Sequence, residues 1–218
     1  MLRNICFGLL LLLTVVFGHG RVTNPEAEFN PPLTTTFARK ISANSTFSEG
    51  KFNGTATENS NEFAKAFKAQ TKFKSLRDML EFNTTSPCGY SLINAAKKPI
   101  PADSTMTWQN PPAGVGFVDS HTGPCEVWLD DQQVFQDDNC AGHYKAIPEA
   151  HLPIDYSPCT KKGCILRFFN LAVHEPMWQV YINCVPLAGE EIKFTPPSIN
   201  YTAEAMIGST FFLIDLKG

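Results

Sequence analysis

The chain has 218 residues, 43% of them hydrophobic and 18% charged, with a formal net charge of −3. That apolar share excludes a disordered polymer. A weakly acidic chain without a run of lysines or arginines argues against nucleic-acid binding.

Residues 1–18 read as a secretory signal peptide. Arg3 precedes an apolar run from Phe7 to Phe17, and Val16 and Gly18 supply the small residues of a cleavage site. The run is too short to cross a bilayer, so no membrane association is expected. A cut after Gly18 makes His19 the first residue of one secreted domain, 19–218, of about 200 residues, enough to bury its own core. A cut after Gly20 is the competing reading and would start the mature chain at Arg21.

Next come Pro31–Pro32 and the polar run Ser42–Asn61, both read as loop. Asn61–Phe82 is the helix candidate, with Phe63, Phe67, Leu76 and Leu80 at helical spacings and lysines 65, 68, 72 and 74 forming a solvated face. From Ser104 the pattern turns to short strands at Met106–Trp108, Glu126–Leu129, Ile165–Phe169, Gln179–Asn183, Glu191–Phe194 and Phe211–Leu216. Asp130–Asp138 reads as a hairpin turn carrying solvated carboxylates.

Of seven cysteines, Cys6 leaves with the signal, and Cys88, Cys125, Cys140, Cys159, Cys164 and Cys184 remain. An even set in a secreted chain implies three disulfides, and no Cys-x-x-Cys pair suggests zinc. Cys159 and Cys164 flank the turn Thr-Lys-Lys-Gly and are the expected local pair. Sequons stand at Asn44, Asn53, Asn83 and Asn200. No internal repeat or second domain is visible. The fold class is therefore mainly β: an antiparallel, immunoglobulin- or fibronectin-like β-sandwich with long loops and a helical insertion, stabilised by disulfides. A monomer is expected.

The chemistry concentrates on a few residues. An N-terminal His19 offers its α-amine and an imidazole nitrogen to one metal, an all-nitrogen chelate suited to Cu(II). His121 lies in Asp119-Ser120-His121-Thr122-Gly123-Pro124-Cys125, a loop leading into a strand. Gln179 and Tyr181 are two apart in a strand, so amide and phenol share a face, with Cys184 anchoring the strand end. His174 precedes that strand. His143 and His151 fit no motif and are read as surface residues.

An N-terminal His-Gly, a His-x-Gly-Pro segment before a strand and a late Gln-x-Tyr-x-x-Cys strand together resemble the lytic polysaccharide monooxygenases. The start His19-Gly20-Arg21-Val22-Thr23-Asn24-Pro25 and the segment Gly-Pro-Cys-Glu-Val-Trp-Leu are most similar to the oomycete-type group, auxiliary activity family seventeen. The resemblance implies one copper per chain, bound by the amine and ring of His19 and by His121, with Tyr181 on the axis. Gln179 would hydrogen-bond an oxygen species beside the metal, and His174 would do likewise. It also implies a polysaccharide substrate, pectic homogalacturonan first, an external electron donor, and O2 or H2O2 as co-substrate. An anionic polymer would want local positive charge, for which Lys145, Lys161 and Lys162 are candidates. A non-catalytic copper-binding protein with the same ligands is the alternative, followed by a wall-binding protein in which the histidines are incidental. A serine hydrolase lacks its Gly-x-Ser-x-Gly elbow.

Overall fold

The computed structural model describes residues 19–30, 35–159 and 162–189. The expected signal 1–18, Pro31–Pro32, Lys161, Asn200 and the strands expected at 191–194 and 211–216 lie outside the described residues.

Eight strands are described: β1 Arg21–Asn24, β2 Arg39–Ser42, β3 Thr105–Gln109, β4 Cys125–Leu129, β5 Gln132–Asp137, β6 Ala150–Pro153, β7 Cys164–Ala172 and β8 Met177–Leu187. They form a three-stranded sheet, β1-β3-β6, and a five-stranded sheet, β2-β8-β7-β4-β5. Every pairing between these strands is antiparallel. The expected antiparallel β-sandwich is therefore the architecture.

Period-two alternation divides β7 and β8 between two cores. Leu166, Phe168, Tyr181, Val185 and Leu187 pack with Val22, Met106, Trp108 and Leu152 of the smaller sheet. Their neighbours Phe169, Leu171, Trp178, Val180 and Ile182 face the other way, onto Phe63, Leu76, Met79 and Leu80. Those four come from helices α2 (Ala56–Ala69) and α3 (Leu76–Glu81). The near-continuous apolar runs of β7 and β8 follow from burial on both faces.

Three sequence expectations need correction here. Asn61–Phe82 is two helices, not one. Gln70 breaks it: its side chain accepts from Phe73 N (2.8 Å) and donates to Phe67 O (3.2 Å) and Phe73 O (2.8 Å). Ser75 then caps α3 by accepting from Asp78 N at 3.0 Å. Lys72 thus lies on a connection, over the rings of Phe73 and Phe82 (4.8 and 4.4 Å), instead of on a helix face.

Ser42–Asn61 is not all loop either. A short helix α1 (Ala43–Thr46) and the start of α2 lie within it, α2 being opened by a Thr55/Glu58 capping box. In Asp130–Asp138 only Asp130–Asp131 turn; Gln132–Asp137 is β5, paired with β4.

The three disulfides are Cys88–Cys184, Cys125–Cys140 and Cys159–Cys164, the last as expected. Asn44, Asn53 and Asn83 are exposed, as glycan acceptors must be.

Candidate metal centre

Four segments from different parts of the chain meet at one end of the sandwich. His19 stands two residues before β1, whose Arg21 and Val22 pair with Gln109 and Trp108 of β3. Gly20 between them lies against the indole of Trp108: a Cβ there would sit 2.7 Å from Trp108 Cε2 and Nε1. Any other residue after His19 would have to displace that buried ring. Val22 N donates to Asn183 Oδ1 of β8 at 2.8 Å, tying the segment to the second sheet.

His121 closes a 3-10 turn, Asp119–His121, before β4. The loop behind it is held by the end of β7 and by the residue that follows it. Val173 N donates to Thr122 O (2.9 Å) and Leu171 N to Pro124 O (3.0 Å). Thr122 Oγ1 donates to Ala56 O at 2.6 Å, anchoring the loop to the start of α2.

These supports bring the ring of His121 5.8 Å, centroid to centroid, from that of His19, steeply inclined at 75°. With metal–nitrogen bonds of about 2 Å, two imidazoles bracketing one ion stand roughly 6 Å apart. Tyr181 lies 6.0 Å from the His19 ring and 6.5 Å from the His121 ring. His174, on the turn between β7 and β8, stacks on His121 at 4.4 Å. Tyr181 Oη donates to Gln179 Oε1 at 2.8 Å, and Gln179 Nε2 donates to Glu175 Oε1 at 3.3 Å. All five expected site residues are thus neighbours.

The electrostatics suit neutral nitrogen donors. Burial lowers the His121 pKa to about 4, with the charges of His174 and His19 adding to it and Gln179 and Glu175 opposing. Burial also lowers His19 and His174. Burial raises the Tyr181 pKa, and the Glu175 charge raises it further, so the phenol stays protonated. His121 Nδ1 bonds Ser120 Oγ at 3.0 Å, whereas its Nε2 is buried with no protein partner. A buried imidazole nitrogen without a hydrogen-bond partner is costly in a purely structural role and natural in a metal ligand. Among the described residues no three His, Cys, Asp or Glu side chains stand close enough to hold an ion by themselves. Two imidazoles need a donor of another kind, and the α-amine of His19, once freed, is one.

A pH dependence follows for the metal-free protein. Unfolded, His121 titrates at its ordinary value; folded, at about 4. Between the two the unfolded state binds more protons, so stability is intact above about 6.5 and falls as pH drops toward 4, by about 3 kcal/mol. Urea midpoints should fall across that window, and less in His121→Asn. A flat wild-type profile would contradict it.

The sequence missed three residues here. Phe37 packs edge-on against His19 (5.7 Å) and Tyr181 (6.5 Å). Glu175 accepts from Gln179, and Lys40 lies over Phe37 (5.3 Å) and pairs with Glu175 at 3.3 Å. Lys40 is therefore a cation at the site. Lys145 is held by Asp119 (2.7 and 2.8 Å), two residues before His121. Lys162 precedes β7 while the site lies past its other end, nine residues or roughly 30 Å away. His143 and His151 are surface residues, as expected, with side chains 61% and 51% exposed.

No family model matches this chain, and no curated protein matches it either.

Proposed function

We propose that this protein is a secreted copper-dependent monooxygenase that cleaves a cell-wall polysaccharide, with homogalacturonan the favoured substrate. The observation that carries the reading is the buried Nε2 of His121, which makes no hydrogen bond within the protein, in a cluster with His19, Tyr181 and Gln179. In this reading the His19 amine and ring and the His121 ring would hold the ion, with Tyr181 beside them. Bound copper would cycle between Cu(II) and Cu(I) and use O2 or peroxide, with electrons from an external donor, to oxidise a sugar C–H bond.

The chain's own groups do the rest. Depressed pKa values keep the imidazoles unprotonated and available. Phe37 packs against His19, Trp108 against Tyr181 and His174 against His121, supporting each ring of the cluster. Gln179, 7% exposed, presents an amide beside both rings and orients small polar molecules there. A cleft of about 670 Å3 lined by Phe117, Asp119, Ser120, Lys145 and Ile147 opens beside the His121 loop and would take sugar units flanking the site. The preference for an anionic polymer rests on the resemblance and on the position of Lys40.

The test is product analysis by mass spectrometry. Copper-loaded mature protein and a reductant are incubated with homogalacturonan, cellulose and chitin, with His121→Ala as control. Oxidised oligogalacturonides from wild type alone are expected. Oxidised products from another polymer would keep the activity and overturn the substrate. Tight copper binding without any oxidised product would favour a copper-binding protein. Tyr181→Phe should retain copper but change its Cu(II) spectrum and lower the rate. Loss of folding instead would mark Tyr181, 1% exposed, as core alone.

A further inference from the structure

Lys40 and Gln179 are directly opposed in the β2–β8 register, so their side chains leave the same face side by side. Glu175 lies on the turn four residues before Gln179, fixed by Ala43 N donating to Pro176 O at 2.9 Å. Its Oε1 accepts from Lys40 Nζ and from Gln179 Nε2, each at 3.3 Å. Oε1 of Gln179 then accepts from Tyr181 Oη at 2.8 Å.

The polarity of this chain of bonds has one direction. A lysine ammonium only donates, and a carboxylate only accepts. Glu175 therefore takes the NH2 end of the Gln179 amide, since a flipped amide would set oxygen against carboxylate. The amide oxygen is left toward Tyr181, which must donate its single hydrogen to it. The phenol oxygen then has only lone pairs to offer the histidine side.

We infer that Glu175, anchored by Lys40, is a positioning residue that fixes the orientation of the Gln179 amide and, through it, turns the Tyr181 oxygen lone pairs toward the His19–His121 pair. Its consequence for catalysis rests on the proposed copper site; the orientation itself does not. The hydrogen bonds of Glu175 go to Lys40 and Gln179, so it sets the amide through Gln179, while its charge also reaches His121 and His174.

Two readouts separate these levels. In metal-free, isotope-labelled mature protein, Glu175→Gln keeps the shape of the side chain but can donate as well as accept. The side-chain amide protons of Gln179 should move upfield as the charged acceptor is lost. Lys40→Met should produce a smaller shift of the same sign. In the copper-loaded protein, Glu175→Gln should alter the Cu(II) hyperfine coupling. Combined with Tyr181→Phe it should add nothing, because both act on one hydroxyl. Wild-type amide resonances in a folded Glu175→Gln variant would overturn the inference. So would an effect on the spectrum that adds fully to that of Tyr181→Phe. A wild-type protein that bound no copper would sink the proposed function, and the amide shifts would still decide this orientation.

Discussion

Adding a single residue ahead of His19 should abolish tight copper binding by the mature protein, and His121→Ala should do the same. The two changes attack different donors. The extension leaves every side chain in place and replaces a free amine with a peptide nitrogen, which holds its proton far more firmly. His121→Ala leaves the amine and removes the buried Nε2 that makes no hydrogen bond within the protein. Losing an outer hydrogen-bond partner of a ligand typically costs 10–100-fold in metal affinity, so losing a ligand should cost more than about 100-fold. Competition titration against a chelator of known affinity measures this.

A thermal shift provides an independent reading. Copper at about 1,000 times its dissociation constant should stabilise wild type by about 4 kcal/mol, and neither variant should respond. The extended protein should unfold, without metal, as wild type does, because its folded contacts are intact. An extended protein that still bound copper tightly would remove the amine from the site and with it the reading of His19.

How much of this was visible in the sequence differs between elements. The sandwich and the strands β3, β4, β7 and β8 were legible because double-sided burial writes long apolar runs, as in Cys164–Ala172. The four-residue strands β1, β2 and β6 were not, since two alternations cannot be told from loop. The helix break at Gln70 was hidden because it comes from a polar side chain closing on its own backbone, without glycine or proline to mark it. The capping box Thr55-x-x-Glu58 was present in the sequence and would have placed the start of α2.

The site divides along the same line. Gln179 and Tyr181 could be paired from period two alone, whereas His19 and His121 were joined only by the resemblance their motifs carry. Gly20 is required by Trp108, 88 residues later in the chain and opposite β1, so its reason is tertiary although its presence is local. Lys40, Glu175 and Phe37 carry no motif. Lys40 reaches the site through the β2–β8 register and Glu175 through a turn, and neither is encoded by spacing. Conversely, Lys162, a candidate cation that read equally well as part of a solvated turn between two cysteines, is at the wrong end of its strand.

The loop glycine after His121 carries the second large effect. Gly123→Ala should destabilise the protein by more than about 3 kcal/mol and displace His121 even where the chain still folds. Gly123 has φ +148°, and a Cβ there would lie 1.9 Å from Leu171 O, closer than any non-bonded contact. That carbonyl belongs to β7, in the interior of the five-stranded sheet, and cannot retreat. The loop cannot retreat either, being bonded on both sides of Gly123, through Thr122 O to Val173 N and through Pro124 O to Leu171 N of β7, while Gly123 O accepts from Cys140 N at 2.9 Å. Relief therefore means breaking at least one of these bonds and moving Thr122, the immediate neighbour of His121.

Gly114→Ala separates this from backbone strain alone. Gly114 also has a positive φ, +61°, but a Cβ there would meet nothing within 4 Å. It should cost only the left-handed penalty of about 1–2 kcal/mol and leave copper affinity as in wild type. Urea denaturation of the two variants, each paired with a copper titration, tests the argument. Equal losses of stability would mean that the Leu171 carbonyl yields. A Gly123→Ala protein that kept both its stability and its copper would show that the His121 loop is not the rigid support on which this site depends.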